Sequence, residues 1–244
     1  MKQSMFTIAE NSPLTERFSL LRLEGDCSAI ERPGQFVELM LPGLFLRRPF
    51  SVCDWDGKGF SLLIEQVGKG TELLRSLPVG QELDVLTGLG NGFDLSRAGE
   101  RPLLIGGGSG VSPLLGLARR LAERGVRPHV ILGFPSREDL LLLDDFFRLG
   151  LAPTVTTDDG SFGIRGRVTE AMDIPHTFFY ACGPLPMLRA VCEKSPAPGE
   201  VSLDARMGCG FGACMGCTIQ TAQGARRVCK DGPVFEKEEL LWTD

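Results

Sequence analysis

Up to about residue 96 the chain is a succession of short apolar runs cut by glycine, proline and aspartate. "RFSLLRLEG", "QFVELMLPG", "GFSLLIEQVG" and "QELDVLTGLG" are of this kind. Apolar runs of this length, bounded by turn residues, predict β-strands. Their even spacing predicts an antiparallel sheet that closes, or nearly closes, into a barrel. One segment breaks the pattern: "GKGTELLRSL" (68–77) predicts a single short helix opening at a glycine-rich turn. From about residue 101 the period changes. "RPLLIGGGSG" is a strand running into glycines. "SPLLGLARRLAERG" has helical apolar spacing, with Pro113 in the first turn and Gly125 at the end. "PHVILGF", "APTVTTDDG" and "TFFYACG" predict further strands, and "SREDLLLLDDFFRLG" and "PLPMLRAVCEK" predict helices. Strands alternating with helices predict a parallel sheet covered on both faces.

"KSPAPGE" (194–200) is a proline-rich connector. The segment behind it is too short to build a core without a staple. The expected organisation is therefore an antiparallel β-barrel over 1–96, an α/β parallel-sheet domain over 97–199 and a small C-terminal module over 200–244.

Two stretches offer anion chemistry. "IGGGSGVSP" (105–113) puts four glycines between a strand and a helix. Backbone amides there approach a pyrophosphate closely, and the helix N-terminus adds partial positive charge. It is not the G-x-G-x-x-G fingerprint, because Val111 or Pro113 stands where the third glycine is needed. In "LRRPFSV" (46–52) a guanidinium offers a fixed fork of donors and Ser51 a hydroxyl to the same oxygens. On a strand, Arg48 and Phe50 share one side, so one edge grips phosphate while an aromatic packs a planar ring. "GKGT" (68–71) is a second anion-cradling turn.

Composition narrows the function classes. A net charge of −5 and the lack of a basic run give no footprint for nucleic acid or an anionic membrane. The N-terminal "MKQSMFTIAENS" lacks a signal-peptide apolar core. No stretch approaches the roughly 18 apolar residues of a membrane span, so a cytoplasmic protein is expected. Eight cysteines in that compartment point to metal binding or redox work rather than disulfides. The two histidines, His129 and His176, stand far apart and give a histidine metal site or a Ser-His-Asp triad little support.

Four cysteines are set apart by their spacing. "RMGCGFGACMGC" (206–217) holds Cys209, Cys214 and Cys217 as C-x4-C-x2-C, and Cys229 comes after eleven residues. This is the spacing of plant-type [2Fe–2S] ligation. Two irons bridged by sulfides need four thiolates, and glycines between the ligands let amides turn toward sulfur. Structural zinc is the rival, but its ligands usually come as two C-x2-C-type pairs. Cys27, Cys53 and Cys192 read as small buried hydrophobes.

In this order the motifs resemble the ferredoxin–NADP reductase superfamily over roughly residues 1–195. The resemblance implies an FAD-binding barrel followed by a pyridine-nucleotide domain. Arg48, Pro49, Phe50 and Ser51 match its R-x-[YF]-S flavin motif, with Leu63, Ile64 and Glu65 on a further flavin-binding strand. Gly68, Gly70 and Thr71 match its flavin-phosphate turn. Gly106, Gly107, Gly108, Ser109 and Gly110, running on to Pro113, match its nucleotide-phosphate turn. Cys182, Gly183 and Pro184 match its C-G-P motif near the nicotinamide; Thr71 or Cys182 then touches the flavin or nicotinamide ring. No general acid or base is implied.

The short cluster module, with "ARMGCGFGACMGC" after "YACGPLPML", extends the resemblance over the whole chain. It is similar to the electron-transfer subunits of the NAD-linked dihydroorotate dehydrogenases. That resemblance implies electrons passing between NAD, FAD, a [2Fe–2S] cluster and a partner protein. The partner is the FMN-bearing catalytic subunit that oxidises dihydroorotate in pyrimidine biosynthesis, in a heterotetramer of two chains each. The alternative is a related FAD/[2Fe–2S] reductase subunit serving ferredoxin, sulfide or another dehydrogenase; an aspartate ligand would favour it, and four cysteines speak against it. Asp204, where the family has glutamate, departs from the pattern without touching a ligand. The resemblance implies NAD rather than NADP. In "PSREDL", Ser136 and Arg137 offer a site for a 2′-phosphate, while Glu138 or Asp139 offers one for a ribose hydroxyl.

Overall fold

The computed structural model describes residues 1–242. Its N-terminal part is a closed barrel with strand order β1-β2-β5-β4-β3-β6. The strands are β1 (Lys2–Pro13), β2 (Phe18–Glu24), β3 (Phe36–Met40), β4 (Arg48–Trp55), β5 (Gly59–Glu65) and β6 (Glu82–Leu89). All its pairings are antiparallel. Alternation explains the closure: Val37 and Leu39 of β3 point into the barrel with Phe6, Ile8, Leu21, Leu23 and Val85. Phe36 of β3, with Leu86 and Leu89 of β6, belongs instead to a second core outside the barrel. The single helix α1 (Lys69–Ser76) comes after β5, as its glycine-opened run predicts.

Beyond the barrel lies a seven-stranded sheet. Its strands in chain order are β7 (Pro102–Gly107), β8 (His129–Phe134), β9 (Thr154–Thr157), β10 (Ile164–Arg165), β11 (Phe178–Cys182) and β12 (Gly199–Ser202). After the two-stranded hairpin of β13 (Thr218–Thr221) and β14 (Gly224–Arg227), β15 (Val234–Glu236) completes it. The spatial order is β10-β9-β8-β7-β11-β12-β15, parallel except for β15. Every residue of β7 is buried, which is what an apolar run at the centre of a doubly covered sheet requires. The helices are α2 (Val111–Glu123), α3 (Leu143–Arg148), α4 (Leu185–Lys194) and α5 (Val228–Asp231).

Barrel and sheet are held together through α2. Arg119 Nε donates to Asp54 Oδ2 at 2.6 Å, and Arg120 lies 4.3 Å over the Trp55 ring while donating to its carbonyl at 2.9 Å. Both partners lie on β4, the strand that carries the Arg48–Ser51 motif.

Two elements differ from the sequence expectation. The long helix expected over 136–150 forms only as a 3₁₀ turn at Arg137–Asp139 and the short α3. Leu140 turns to extended backbone, and Leu141 and Leu142 go into the core. A run of four leucines leaves a helix no polar face, and burial of consecutive side chains wins over a helical stripe. The sheet also runs through the expected 199/200 boundary: β12 spans it, and β15 returns from the cysteine region to pair with β12. Among the described residues, no helix is long and apolar enough to cross a membrane.

Candidate functional site

The first cradle joins β4 to the start of α1. A Cβ placed at Gly70 would lie 3.1 Å from Arg48 Nε, so the guanidinium sits against the first turn of α1. Arg48 Nη1 donates to the Leu46 carbonyl at 2.7 Å, which holds the side chain there. A fixed guanidinium beside a helix start fits a phosphate group. Thr71 is less available: its hydroxyl accepts from the Val67 and Gly68 amides at 2.9 and 3.2 Å and donates to the Gly68 carbonyl. Ser51 is exposed, while Phe50 packs partly against the barrel core. On β5 the side chain of Ile64 lies in the barrel core, Leu63 in the core around α2, and Glu65 pairs with Arg17 at the rim.

The second cradle brings together the two motifs expected to hold the dinucleotide, which lie 72 positions apart from Gly110 to Cys182 (182 − 110). β7 pairs directly with β11, Gly106 opposite Cys182. At Gly110 a Cβ would be 2.3 Å from the Cys182 carbonyl oxygen, so glycine is the residue that lets the turns touch. Ser109 stands exposed at the turn. Burial, opposed by a hydrogen bond with Ser202, pushes the Cys182 thiol up to about 12, so it is neutral and no nucleophile. A cleft of 290 Å³ opens here, lined by Gly107, Gly108, Pro184 and Met187 on one side and by Thr156, Asp158 and Arg167 on the other. The last three were missed in the sequence: "TVTTDDG", which holds Thr156 and Asp158, reads as a strand and its turn, and Arg167 lies beyond it with no motif. Of "PSREDL", Pro135 lines the cleft, while Ser136, Arg137, Glu138 and Asp139 lie outside this lining. Ser136 donates to Asp139 and accepts from the Glu138 amide, and Arg137 lies 5.6 Å over Phe162.

The cysteine loop packs on the outside of the barrel. Cys217 and Cys229 are buried in the core that also holds Phe36, Leu86 and Leu89, whereas Cys214 is exposed. Cys209, Cys214 and Cys217 lie on the loop and Cys229 in the short helix α5 that follows the hairpin. Backbone amides turn toward the sulfurs: Ala213 and Cys214 donate to Cys209 Sγ at 3.2 and 3.4 Å, Gly216 to Cys214 at 3.5 Å, and Cys229 to Cys217 at 3.4 Å. Burial raises Cys209, but these amides and the Cys214 thiol outweigh it and hold Cys209 down at about 6. Burial and the Cys217 thiol push Cys229 up to about 12. Among the described residues no group of three or more such side chains is gathered around a single-ion position. Four cysteines at this spacing, with amides on the sulfurs of Cys209, Cys214 and Cys217, suit a cluster of two irons.

One carboxyl joins the loop to the barrel. Glu38 of β3 is fully buried, and both its oxygens lack a hydrogen-bond partner. Burial, with the Cys209 thiolate nearby, pushes it up to about 7 against the Arg47 and Arg48 guanidiniums. Gly210 lies against it: a Cβ there would be 2.4 Å from Glu38 Oε1, and its φ of +73° also favours glycine. Glu38 pairs across the sheet with Pro49, inside the Arg48–Ser51 motif.

Comparisons with known proteins agree with this geometry. Residues 204–241 match the model of the iron-sulfur cluster binding domain of dihydroorotate dehydrogenase B, and residues 104–193 that of an oxidoreductase NAD-binding domain. Among solved structures, a chain of an NADH-dependent reduced ferredoxin–NADP oxidoreductase superposes with a TM-score of 0.89 at 29% identity, covering 98% of this chain and 90% of that one. Phthalate dioxygenase reductase shares the fold, with a TM-score of 0.67 at 17% identity over 79% of this chain and 64% of that one. The electron transfer subunit of dihydroorotate dehydrogenase B (NAD(+)) from Enterococcus faecalis strain V583 is 38% identical, over 98% of both chains. That of Bacillus caldolyticus is 42% identical over 250 residues, 96% of this chain and 97% of its own. With near-complete coverage at this identity, and with the cysteine loop and nucleotide domain each matched, the chain belongs to the family of dihydroorotate dehydrogenase B (NAD(+)) electron transfer subunits.

Proposed function

We propose that this chain carries electrons between NAD and a partner dihydroorotate dehydrogenase through bound FAD and a [2Fe–2S] cluster. One observation carries the reading. The cysteine loop touches β3 at Glu38, the neighbour of Pro49 in the flavin-motif strand, while Cys214 on the same loop is open to solvent. The loop thus spans from the barrel wall to the surface. When bound, the flavin accepts a hydride and releases electrons singly, and the cluster takes them one at a time.

In this reading residues 1–96 hold FAD, 97–199 hold NAD and 200–244 hold the cluster. Arg48 and the turn at Gly70 grip the flavin's phosphates, and Pro49, Phe50 and Ser51 border its ring. The Gly106–Gly110 turn holds the dinucleotide phosphates, and Cys182, Gly183 and Pro184 border the nicotinamide. Cys209, Cys214, Cys217 and Cys229 ligate the irons. No side chain here is given a proton-transfer role. Phe211 and Met215, exposed apolar residues of the cysteine loop, support a partner face at the exposed end of the cluster. The partner is an FMN-bearing catalytic subunit, paired two and two in a cytoplasmic heterotetramer.

In this reading the second flavin and the base for the carbon-bound proton of dihydroorotate belong to the partner. The purified chain with FAD and cluster is therefore expected to reduce artificial acceptors with NADH and not to oxidise dihydroorotate. Adding the FMN-bearing subunit creates dihydroorotate:NAD activity. Flavin bleaching by dihydroorotate with the chain alone would overturn the reading.

A further inference from the structure

One strand carries both the flavin motif and the contact with the nucleotide domain. Ser51, at the end of the Arg48–Ser51 motif, is exposed, and Asp54 stands three positions further along β4 (54 − 51). Between them the register of β4 against β5 slips. Val52 pairs with Leu62 and Asp54 with Ser61, so Cys53 is an extra residue, a β-bulge. A bulge bends its strand and re-aims the groups around it. Here the Cys53 carbonyl and the Asp54 carboxylate both meet α2. A Cβ at Gly116 of α2 would lie 2.7 Å from the Cys53 carbonyl oxygen, so the helix rests on the bulge through a residue without a side chain. Nearly one turn further on, Arg119 Nε donates to Asp54 Oδ2 at 2.6 Å, and Arg120 covers the Trp55 ring. Burial pushes the Cys53 thiol up to about 12, so the sulfur is neutral and the backbone carbonyl makes the joint.

We propose that this joint sets the distance between flavin and nicotinamide, with Gly116 as its pivot and Asp54 and Arg119 as its positioning pair. This rests on the reading above, in which a C–H bond of NADH breaks, its hydrogen and both electrons pass to the flavin, and NAD leaves. That transfer needs the reacting atoms roughly 3–3.5 Å apart. The flavin motif belongs to the barrel and the nicotinamide motif to the sheet, so the joint between them fixes the gap. The helix α2 does not move alone. Leu114, Leu117 and Leu121 share a core with Leu104 of β7, Leu132 of β8 and Tyr180 of β11, so the helix shifts with the strands that end in the glycine and Cys182 turns. Gly110 lies six residues from Gly116 (116 − 110), about 9 Å along the helix, and Arg119 three residues (119 − 116), about 4.5 Å. A tilt about Gly116 that opens the Asp54–Arg119 pair by ~1 Å therefore moves the glycine turn by ~2 Å. An ion pair that is partly exposed adds little to stability. Its effect falls on alignment, where ~1 Å is worth roughly 100-fold in rate.

The test uses the full chain loaded with FAD and cluster. The limiting rate of flavin bleaching at saturating NADH reads the hydride step, and NADH deuterated at the transferred position shows whether that step limits. Three readings need no turnover: the dissociation constants of ADP-ribose and of FAD, and acrylamide quenching of Trp55 in a Trp242→Phe background. Gly116→Ala must part helix and bulge by about 0.7 Å (3.4 − 2.7), and is expected to lower the limiting rate roughly 20-fold. Asp54→Ala and Arg119→Ala are each expected to lower it at least about fivefold, to raise the deuterium isotope effect and to make Trp55 easier to quench. Together they should cost no more than either alone, because each breaks the same pair. The constants for ADP-ribose and FAD should not change, since each ligand is held within one domain. Wild-type limiting rates in all three variants would overturn the proposal, whether or not Trp55 becomes easier to quench. So would a parallel loss of ADP-ribose and FAD binding, which marks general loosening of the fold instead of misalignment. If NADH does not bleach the wild-type flavin, the underlying reading itself fails, a result distinct from the other two.

Discussion

Gly110→Ala tests the contact on which the nucleotide cleft depends. A Cβ at this position would lie 2.3 Å from the Cys182 carbonyl oxygen, 2.5 Å from its carbon and 2.6 Å from the Gly183 Cα. Ordinary contact begins at 3.4 Å, so the turns must separate by about 1.1 Å (3.4 − 2.3). The obstructing atoms are backbone, and β11 is paired with β7 on one side and β12 on the other, so it does not simply retreat. Backbone strain adds nothing, because Gly110 at φ −65°, ψ −9° is right-handed and alanine accepts that conformation. Overpacking of this kind costs about 1–3 kcal/mol. A displacement of ~1 Å between groups that position a reactant is worth roughly 100-fold in rate. The denaturation midpoint should fall by that free energy with an unchanged slope, and kcat/KM for flavin reduction by NADH should fall at least tenfold. FAD content and cluster absorbance should stay at wild-type levels, since the sites proposed for them lie on other elements. Gly125→Ala is the control. Nothing lies within 4 Å of its Cβ position, and its φ of +75° gives strain alone, about 1 kcal/mol, without a change in NADH reduction. Wild-type stability together with wild-type NADH reduction in Gly110→Ala would refute the contact.

The other cradles give two more expected outcomes. Cys229→Ser should lower cluster occupancy, read by iron content and visible absorbance, while FAD stays bound; equal loss of both would show that the two sites do not stand apart. On the proposed reading, Arg48→Ala removes a charge-assisted phosphate contact worth about 1.5–3 kcal/mol. The FAD dissociation constant should therefore rise by roughly 10- to 100-fold, and an unchanged constant removes Arg48 from the site.

Much of this arrangement is legible in the chain because local chemistry and local geometry coincide. The barrel strands, the parallel β-α units and the cysteine spacing each leave a periodic or fixed-interval signal. The glycine turn at 106–110 and the Cys182 turn are legible for the same reason, since each is a strand end. Their contact is not local. It arises because β7 and β11 are neighbours in the sheet, a pairing that crosses most of the domain. Thr156, Asp158 and Arg167 are illegible for the related reason that three ordinary polar residues acquire meaning only where their strand ends meet. The failed helix at 136–150 shows the opposite error. Leu141 and Leu142 match a helical stripe in sequence, but a core was available to both, and burial decided the backbone. β1 left little signal because its side chains alternate only in part between the barrel and solvent.

The position of the cysteine loop carries a consequence for charge. Cys209, held down at about 6, puts negative charge on the loop, and Glu38 presses a carboxyl without hydrogen-bond partners against it at Gly210. Two ionised groups of like sign buried together are costly, and burial pushes this carboxyl up to about 7, close to neutral pH. One arginine braces the other side. Arg227 donates to the Gly212 carbonyl at 3.0 Å and pairs with Asp231, and the chain places Arg206, Arg226 and Lys230 nearby in sequence. The loop is thus tied by Arg227 on one side and by an apolar core and one carboxyl on its barrel side. A residue larger than glycine at 210 would meet that carboxyl within 2.4 Å and push the loop away from β3. The side of the loop that must come close to the flavin strand is therefore the side where the fold tolerates the least bulk.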